Sequence, residues 1–142
     1  YEIPLRLVGS EMCIRDRLTY GALSVAVYTD DPLEIVPDYW VKIGDITVTP
    51  DNRNNQRFIS TATVVLDVVT VQTGIISRDA ADSIVNSILT IITPNPGQTG
   101  LTSTDFQFID AWADSLGYLS GSQGDRQVVR KLLTITHKIQ QV

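Results

Sequence analysis

Cysteine and histidine are almost absent from this 142-residue chain, which holds one of each, Cys13 and His137. That excludes disulfide scaffolds, CxxC redox motifs, zinc fingers and His-rich catalytic metal sites together. No run of about 18 apolar residues occurs. No basic n-region with an apolar core and cleavage site opens the chain, so the sequence predicts a soluble, unexported protein with no membrane partner. Bases are the minority: 11 Lys and Arg against 16 Asp and Glu give a net charge of −5 and a pI near 4.6. This is the wrong sign for gripping phosphates by bulk charge. The glycine patterns GxGxxG, GxxxxGKS/T and GxSxG are missing too, and the Gly97–Gly100 stretch follows a helical pattern rather than a strand. What remains, 43% hydrophobic and 19% charged residues, suits one packed domain.

Residues 1–17 (YEIPLRLVGSEMCIRDR) set up no periodicity that the rest continues. Within them, Ser10 to Arg17 resembles the peptide obtained when sequencing-library adapter is translated at the edge of a metagenomic contig. Read so, 1–17 is a non-native N-terminal artefact, a native N-terminal segment is missing, and the domain spans 18–142. The charge is unaffected, because Glu2, Glu11 and Asp16 leave together with Arg6, Arg15 and Arg17. The alternative is a genuine short helix with Arg15 and Arg17 on its polar side.

Beyond that point the chain reads as strands around one helix. Leu23–Thr29 (LSVAVYT) is a short β-branched and aromatic run stopped by Asp30-Asp31-Pro32. The segment Asp30–Asp38 is an acidic, proline-containing loop. Tyr39–Asp45 alternates, with Tyr39, Val41 and Ile43 on one face and Trp40 and Lys42 on the other, before Gly44-Asp45 bends the chain; Ile46–Thr49 extends it. Pro50–Gln56 (PDNRNNQ) is a polar turn or long hairpin loop. Phe58–Val71 carries the strongest strand signal, with Ala62, Val64, Leu66 and Val68 opposite Thr61, Thr63, Val65, Asp67 and Val69. Both faces are largely apolar, so this strand belongs in the centre or is covered on both sides. Asp67 is its anomaly, suited to a sheet edge or to a cross-strand partner.

Ser77–Ile92 starts on a capping serine, has Asp79 in its first turn, and repeats Ala81, Ile84, Val85, Ile88, Leu89 and Ile92 at helical spacing. Pro94 and Pro96-Gly97 end it. Asp105–Tyr118 opens with Phe106, Phe108, Asp110 and Trp112 against Gln107, Ile109, Ala111 and Ala113, a strand pattern. Ser120–Asp125 is a turn or loop. Arg126–Ile139 closes the sheet, with Val129, Leu133, Ile135 and Ile139 inward and Arg130, Thr134, Thr136 and Lys138 outward. The expected fold class is α+β: about five mostly antiparallel strands in one sheet, packed by one amphipathic helix at about 77–92.

Chemistry is sparse. His137 is alone on an apolar strand face, where a general base would need a positioned partner and a metal would need more ligands. The carboxylate pairs Asp30/Asp31 and Asp110/Asp114 read as solvated rims rather than hydrolytic pairs. Asp51-x-Arg53-Asn54-Asn55 lacks the glycine and terminal glutamate of a calcium loop. The sequence therefore predicts no catalytic residues, no metal and no cofactor.

The order Val25-Ala26-Val27-Tyr28, acidic proline-containing loop, Tyr39-Trp40-Val41-Lys42-Ile43-Gly44-Asp45 resembles the opening of phage tail terminator (tail-completion) proteins, which read like vyxxvPxxxxxPyvviGd. Pro32 or Pro37 stands for the proline and Ile43-Gly44-Asp45 for the apolar-Gly-acid signature. The strand Thr61–Val71, the helix Ala80–Leu89 and the last strand Val129–Ile139 follow in order. The family's N-terminal helix has no counterpart here, and the DFQFIDAW segment does not match in detail. The resemblance implies a virion protein assembled in the host cytoplasm. Its copies would form a ring, commonly a hexamer, on the tail-tube protein, end tube polymerisation and meet the head-tail connector protein. DNA would pass through the lumen without specific binding, past acidic residues that repel it. Candidate interface or lumen residues are Asp30, Asp31, Glu34 and Asp38, then Trp40, then Arg53 of the Asn52–Gln56 loop, and Asp67. Other readings stay open: a head-tail stopper or tail-tube subunit, a β-rich ligand-binding or adhesion module using Tyr39, Trp40 and Trp112, and a carboxylate hydrolase dependent on Asp110.

Overall fold

A computed structural model describes residues 18–21, 23–29, 38–50, 59–74, 78–100 and 106–141. The strands are β1 (Thr19–Tyr20), β2 (Leu23–Ser24), β3 (Ala26–Tyr28), β4 (Tyr39–Pro50), β5 (Ile59–Thr73), β6 (Phe106–Gln123) and β7 (Arg126–Gln141), and one helix, α1 (Asp79–Ile92), lies between β5 and β6. β1 and β2 form a small antiparallel pair, while the other five make one sheet in the order β3-β4-β5-β7-β6. β3 runs parallel to β4, and the remaining ladders are antiparallel.

This corrects the α+β expectation. The described chain is mostly β, and its sheet is mixed. The sheet is mixed because β3 lies parallel to β4, and strand content rises because a segment read as loop continues β6. Gly44-Asp45 bends β4 as a bulge between Ile43 and Ile46, after which Ile46–Pro50 pairs with β5 again. Only glycine fits there, because a Cβ on Gly44 would stand 2.9 Å from the Val65 carbonyl oxygen. Ser120–Gln123, read as loop, is the last part of β6 and pairs with Arg126–Val129. The turn itself is reduced to Gly124-Asp125, with φ +65 at Gly124 and no positive φ at any described non-glycine residue, the pattern of a type II′ hairpin.

β7 also departs from expectation. It lies inside the sheet, pairing fifteen residues of β5 without a register break and β6 on its other side, so β6 is the edge. β5 is central, as its β-branched composition predicts.

The helix places Ala80, Ala81, Ile84, Val85, Ile88, Ile91 and Ile92 against the sheet. Asp79 and Asp82 sit in its first turn, where the helix dipole favours negative charge. The residue preceding it is Arg78, whose side chain makes no cap, and the proposed capping residue Ser77 lies outside the described residues. The Thr93 amide and hydroxyl both donate to the Leu89 carbonyl, and the Gly100 amide closes on the Ile92 carbonyl at 2.7 Å. Beneath α1, Leu18, Val27, Val41, Leu66, Val68, Leu133 and Ile135 complete the core. Each such aliphatic side chain contributes about 1.5–3 kcal/mol when fully buried. A smaller cluster of Ala62, Phe106 and Ile139, flanked by Val48 and Phe108, extends it along the same face.

Candidate functional site

Residues directly opposed in a ladder share a face, so the register assigns each side chain to the helix side or the free side. Trp40, Lys42, Thr47 and Thr49 of β4 stand level with Val69, Asp67, Thr63 and Thr61 of β5. The ladder continues these rows to Arg130, Leu132, Thr136 and Lys138 of β7 and to Leu119, Gly117, Trp112 and Asp110 of β6. These residues form a face over which the described residues lay no helix. It is the candidate functional surface.

Its centre is ionic. Asp67 is only 8% exposed, although it belongs to the middle strand. Arg130 Nε donates to both of its oxygens at 3.3 and 3.1 Å, and Nη2 donates to Oδ2. The forked guanidinium thus satisfies a carboxylate that water hardly reaches, the geometry for which arginine rather than lysine is suited. Of the two readings of Asp67, the cross-strand partner holds and the sheet edge does not. Lys42 stands directly opposite it on β4. Trp40, one row away, packs edge-on against Tyr28 with centroids 5.9 Å apart. Thr63 and Thr136 bring their hydroxyls to 3.4 Å across β5 and β7.

The sequence candidates are therefore only partly gathered. Trp40 and Asp67 share the free face on neighbouring strands. Asp38 sits just before β4, exposed, in an ion pair with Arg126 at 2.7 Å, and its carbonyl accepts the Val71 amide. Asp30, Asp31, Glu34 and Arg53 lie outside the described residues, as does the adapter-like stretch 1–17. The aromatic platform does not form, because Tyr39 turns to the helix side, where it meets Tyr20 at 5.0 Å, and two strands separate Trp40 from Trp112.

Two polar groups on the covered side were not foreseen together. Asp82 of α1 accepts hydrogen bonds from Lys131 Nζ at 2.6 Å and from the Tyr118 hydroxyl. Arg78 lies 4.5 Å over the Tyr118 ring. The hydrogen bonds from Lys131 and Tyr118 hold the Asp82 carboxyl below its ordinary pKa. Burial alone would depress Lys131, but the bonds to Asp82 and Tyr118 outweigh it and raise its pKa. The cluster fastens the start of α1 to the β6–β7 hairpin; only Lys131 facing Tyr118 in register could have hinted at it.

His137 is 3% exposed, between Ala62 and Ala111 on the adjoining strands, whose small side chains leave room for the ring. Its Nε2 meets the Thr99 hydroxyl at 3.1 Å, Phe108 stands edge-on, and burial pushes its pKa down to about 4. It is a neutral core residue at pH 7. Among the described residues no group of three or more His, Cys, Asp or Glu is placed to hold a metal. Nor is any described helix long and apolar enough to cross a membrane. A shallow cavity of about 300 Å3 near the hairpin tip is lined by Leu119, Ser120, Gly121, Ser122, Val128 and Arg130.

No family model and no curated protein matches the sequence. Among solved structures, the fold is similar to that of a chain from the "Virion of native gene transfer agent (GTA) particle", with a TM-score of 0.54 and 14% identity over 81% of this chain and 78% of that one. At that identity the likeness is one of fold.

Proposed function

We propose that this chain is a structural, non-enzymatic protein of a phage-like virion, and more specifically a tail terminator. Its copies form a ring on the last layer of the tail tube, stop tube growth and offer the surface that joins the head. The observation that carries this reading is the fold shared with a chain of a gene transfer agent virion over 81% of the present sequence. The tail-terminator pattern around Tyr28 and Tyr39–Asp45 narrows it. A sheet with one face that carries no helix among the described residues and exposes Trp112 and Leu119 at its edge suits a subunit that completes its burial by assembly. A net charge of −5 suits a protein whose lumen must not hold DNA.

The test is assembly. The 142-residue chain is measured by light scattering after gel filtration, then imaged in negative stain with and without purified tail tubes. Rings of about six copies, or caps at tube ends that block further tube growth, are expected. A monomer that leaves tube ends bare and growing refutes the terminator role.

A further inference from the structure

The exposed large hydrophobic side chains of the described residues, Ile109 at 44%, Trp112 at 42% and Leu119 at 56%, all belong to one strand, β6. Among the described residues β6 is also an edge, eighteen residues long, and its sequence contains no lysine, arginine or proline. Lysine and proline are the residues that most often guard edges, and the charges β6 does carry, Asp110 and Asp114, flank the apolar Ala111–Ala113. An edge strand offers a row of outward N–H and C=O groups, so its chemical complement is another strand.

The opposite edge of the same sheet supplies one. β3 covers β4 only at Trp40–Lys42. Beyond the bulge, Ile46–Pro50 has β5 on one side and no strand on the other among the described residues. The ladders carry Ile46, Thr47, Val48 and Thr49 across β5 and β7 to Ala113, Trp112, Ala111 and Asp110. The uncovered stretch of β4 is thus level with the part of β6 that lies between its two bulges, at Phe108/Asp110 and Ser115/Gly117. The second bulge is itself level with Lys42 and Ile43, where β3 begins to occupy the β4 edge. Direction agrees as well. β4, β5, β7 and β6 alternate, so β4 and β6 run oppositely, and a neighbour related by rotation presents its β4 antiparallel to β6.

The geometry points to a second copy of this chain as the occupant: Asp110–Ala113 of one copy adds as a strand to Ile46–Thr49 of the next, extending the sheet from subunit to subunit. The contact is head-to-tail, uses two different surfaces of each copy, and closes into a ring when the rotation permits. It rests on the assembly reading above and names the surfaces that perform it.

Two experiments on the full chain test it. In the first, Ile109→Lys/Trp112→Lys, with folding checked by circular dichroism, is expected to convert the assembly to a monomer of about 15.7 kDa. In the second, on a Cys13→Ser background, copies carrying Thr47→Cys alone are mixed with copies carrying Trp112→Cys alone and oxidised. A covalent dimer is expected from the mixture and none from either partner alone, while a chain carrying both cysteines gives a multimer ladder. Cross-linking of Trp112→Cys with itself would mean twofold β6–β6 pairing and overturns the proposal. Intact multimers that neither cross-link nor respond to the lysines also overturn it, while leaving the ring reading standing. A wild type that never assembles, even on tail tubes, defeats both.

Discussion

On one side of the sheet Leu66, Val68, Leu133 and Ile135 are at most 1% exposed beneath α1; on the other Trp112 and Leu119 are 42% and 56% exposed around an Asp67–Arg130 pair. The exposed pair belongs to the edge strand β6, whereas Val69, Asp67 and Thr136 of β5 and β7 on that same side are 4%, 8% and 8% exposed, so the contrast between the two sides is concentrated at the edge. A fourteen-residue helix spans about 21 Å. A sixteen-residue strand such as β7 runs about 53 Å at 3.3 Å per residue. One helix cannot shelter such a sheet on even one face over its whole length. The covered side is where the chain stabilises itself, and the free side has surface left over for a neighbour.

The contrast can be broken or sharpened by substitution. Ile84→Ala, on the sheet-facing side of α1 and fully buried, is expected to cost about 2–5 kcal/mol through lost burial and a residual cavity, read as a lower denaturant midpoint. Acid should weaken the covered side through His137. With a folded pKa of about 4 against an ordinary 6.5, the unfolded chain takes up the proton first as pH falls. Stability is therefore complete above pH 6.5 and drops by about 3 kcal/mol on the way to pH 4. In His137→Asn that part of the pH slope should vanish from thermal melts. On the free side, Arg130→Met strands a buried carboxylate. Arg130 is itself half-exposed, so the expected loss is about 1–2 kcal/mol, and a double-mutant cycle with Asp67→Asn should recover most of it. Smallest of all, Trp112→Ser in the dissociated monomer should shift stability by no more than about 0.5 kcal/mol. A large loss there would mean that Trp112 is already part of a packed core.

β5 and α1 were legible because each is fixed by local chemistry, a β-branched run in one case and a 3.6-residue apolar period in the other. The faces of Trp40 and Asp67 were legible for the same reason, since alternation in β4 before its bulge and along β5 is unbroken. In β6 the same rule failed. The apparent face Phe106, Phe108, Asp110, Trp112 is split at Ile109, where the bulge inverts the alternation and turns Ala111 and Ala113 inward and Trp112 outward. Nothing local announces a bulge, because it is set by the register of the partner strand. The interior position of β7 and the Asp82–Lys131–Tyr118 cluster depend likewise on which segments meet across the sheet. The α+β expectation missed that Ser120–Gln123, read as loop, continues β6 and that β3 runs parallel to β4, both set by which segments pair rather than by local sequence.

The fifteen unbroken rungs between β5 and β7 have a consequence for how the molecule breathes. Their amides are enclosed by strands on both flanks, so deuterium reaches them only when the whole sheet opens, whereas the outward amides of β6 meet solvent directly. The slowest and fastest strand protons of the molecule therefore belong to elements that touch, and a ring built through the β6 edge would be visible as slowed exchange in Asp110–Ala113 and in Ile46–Thr49 together, with the β5–β7 set unchanged.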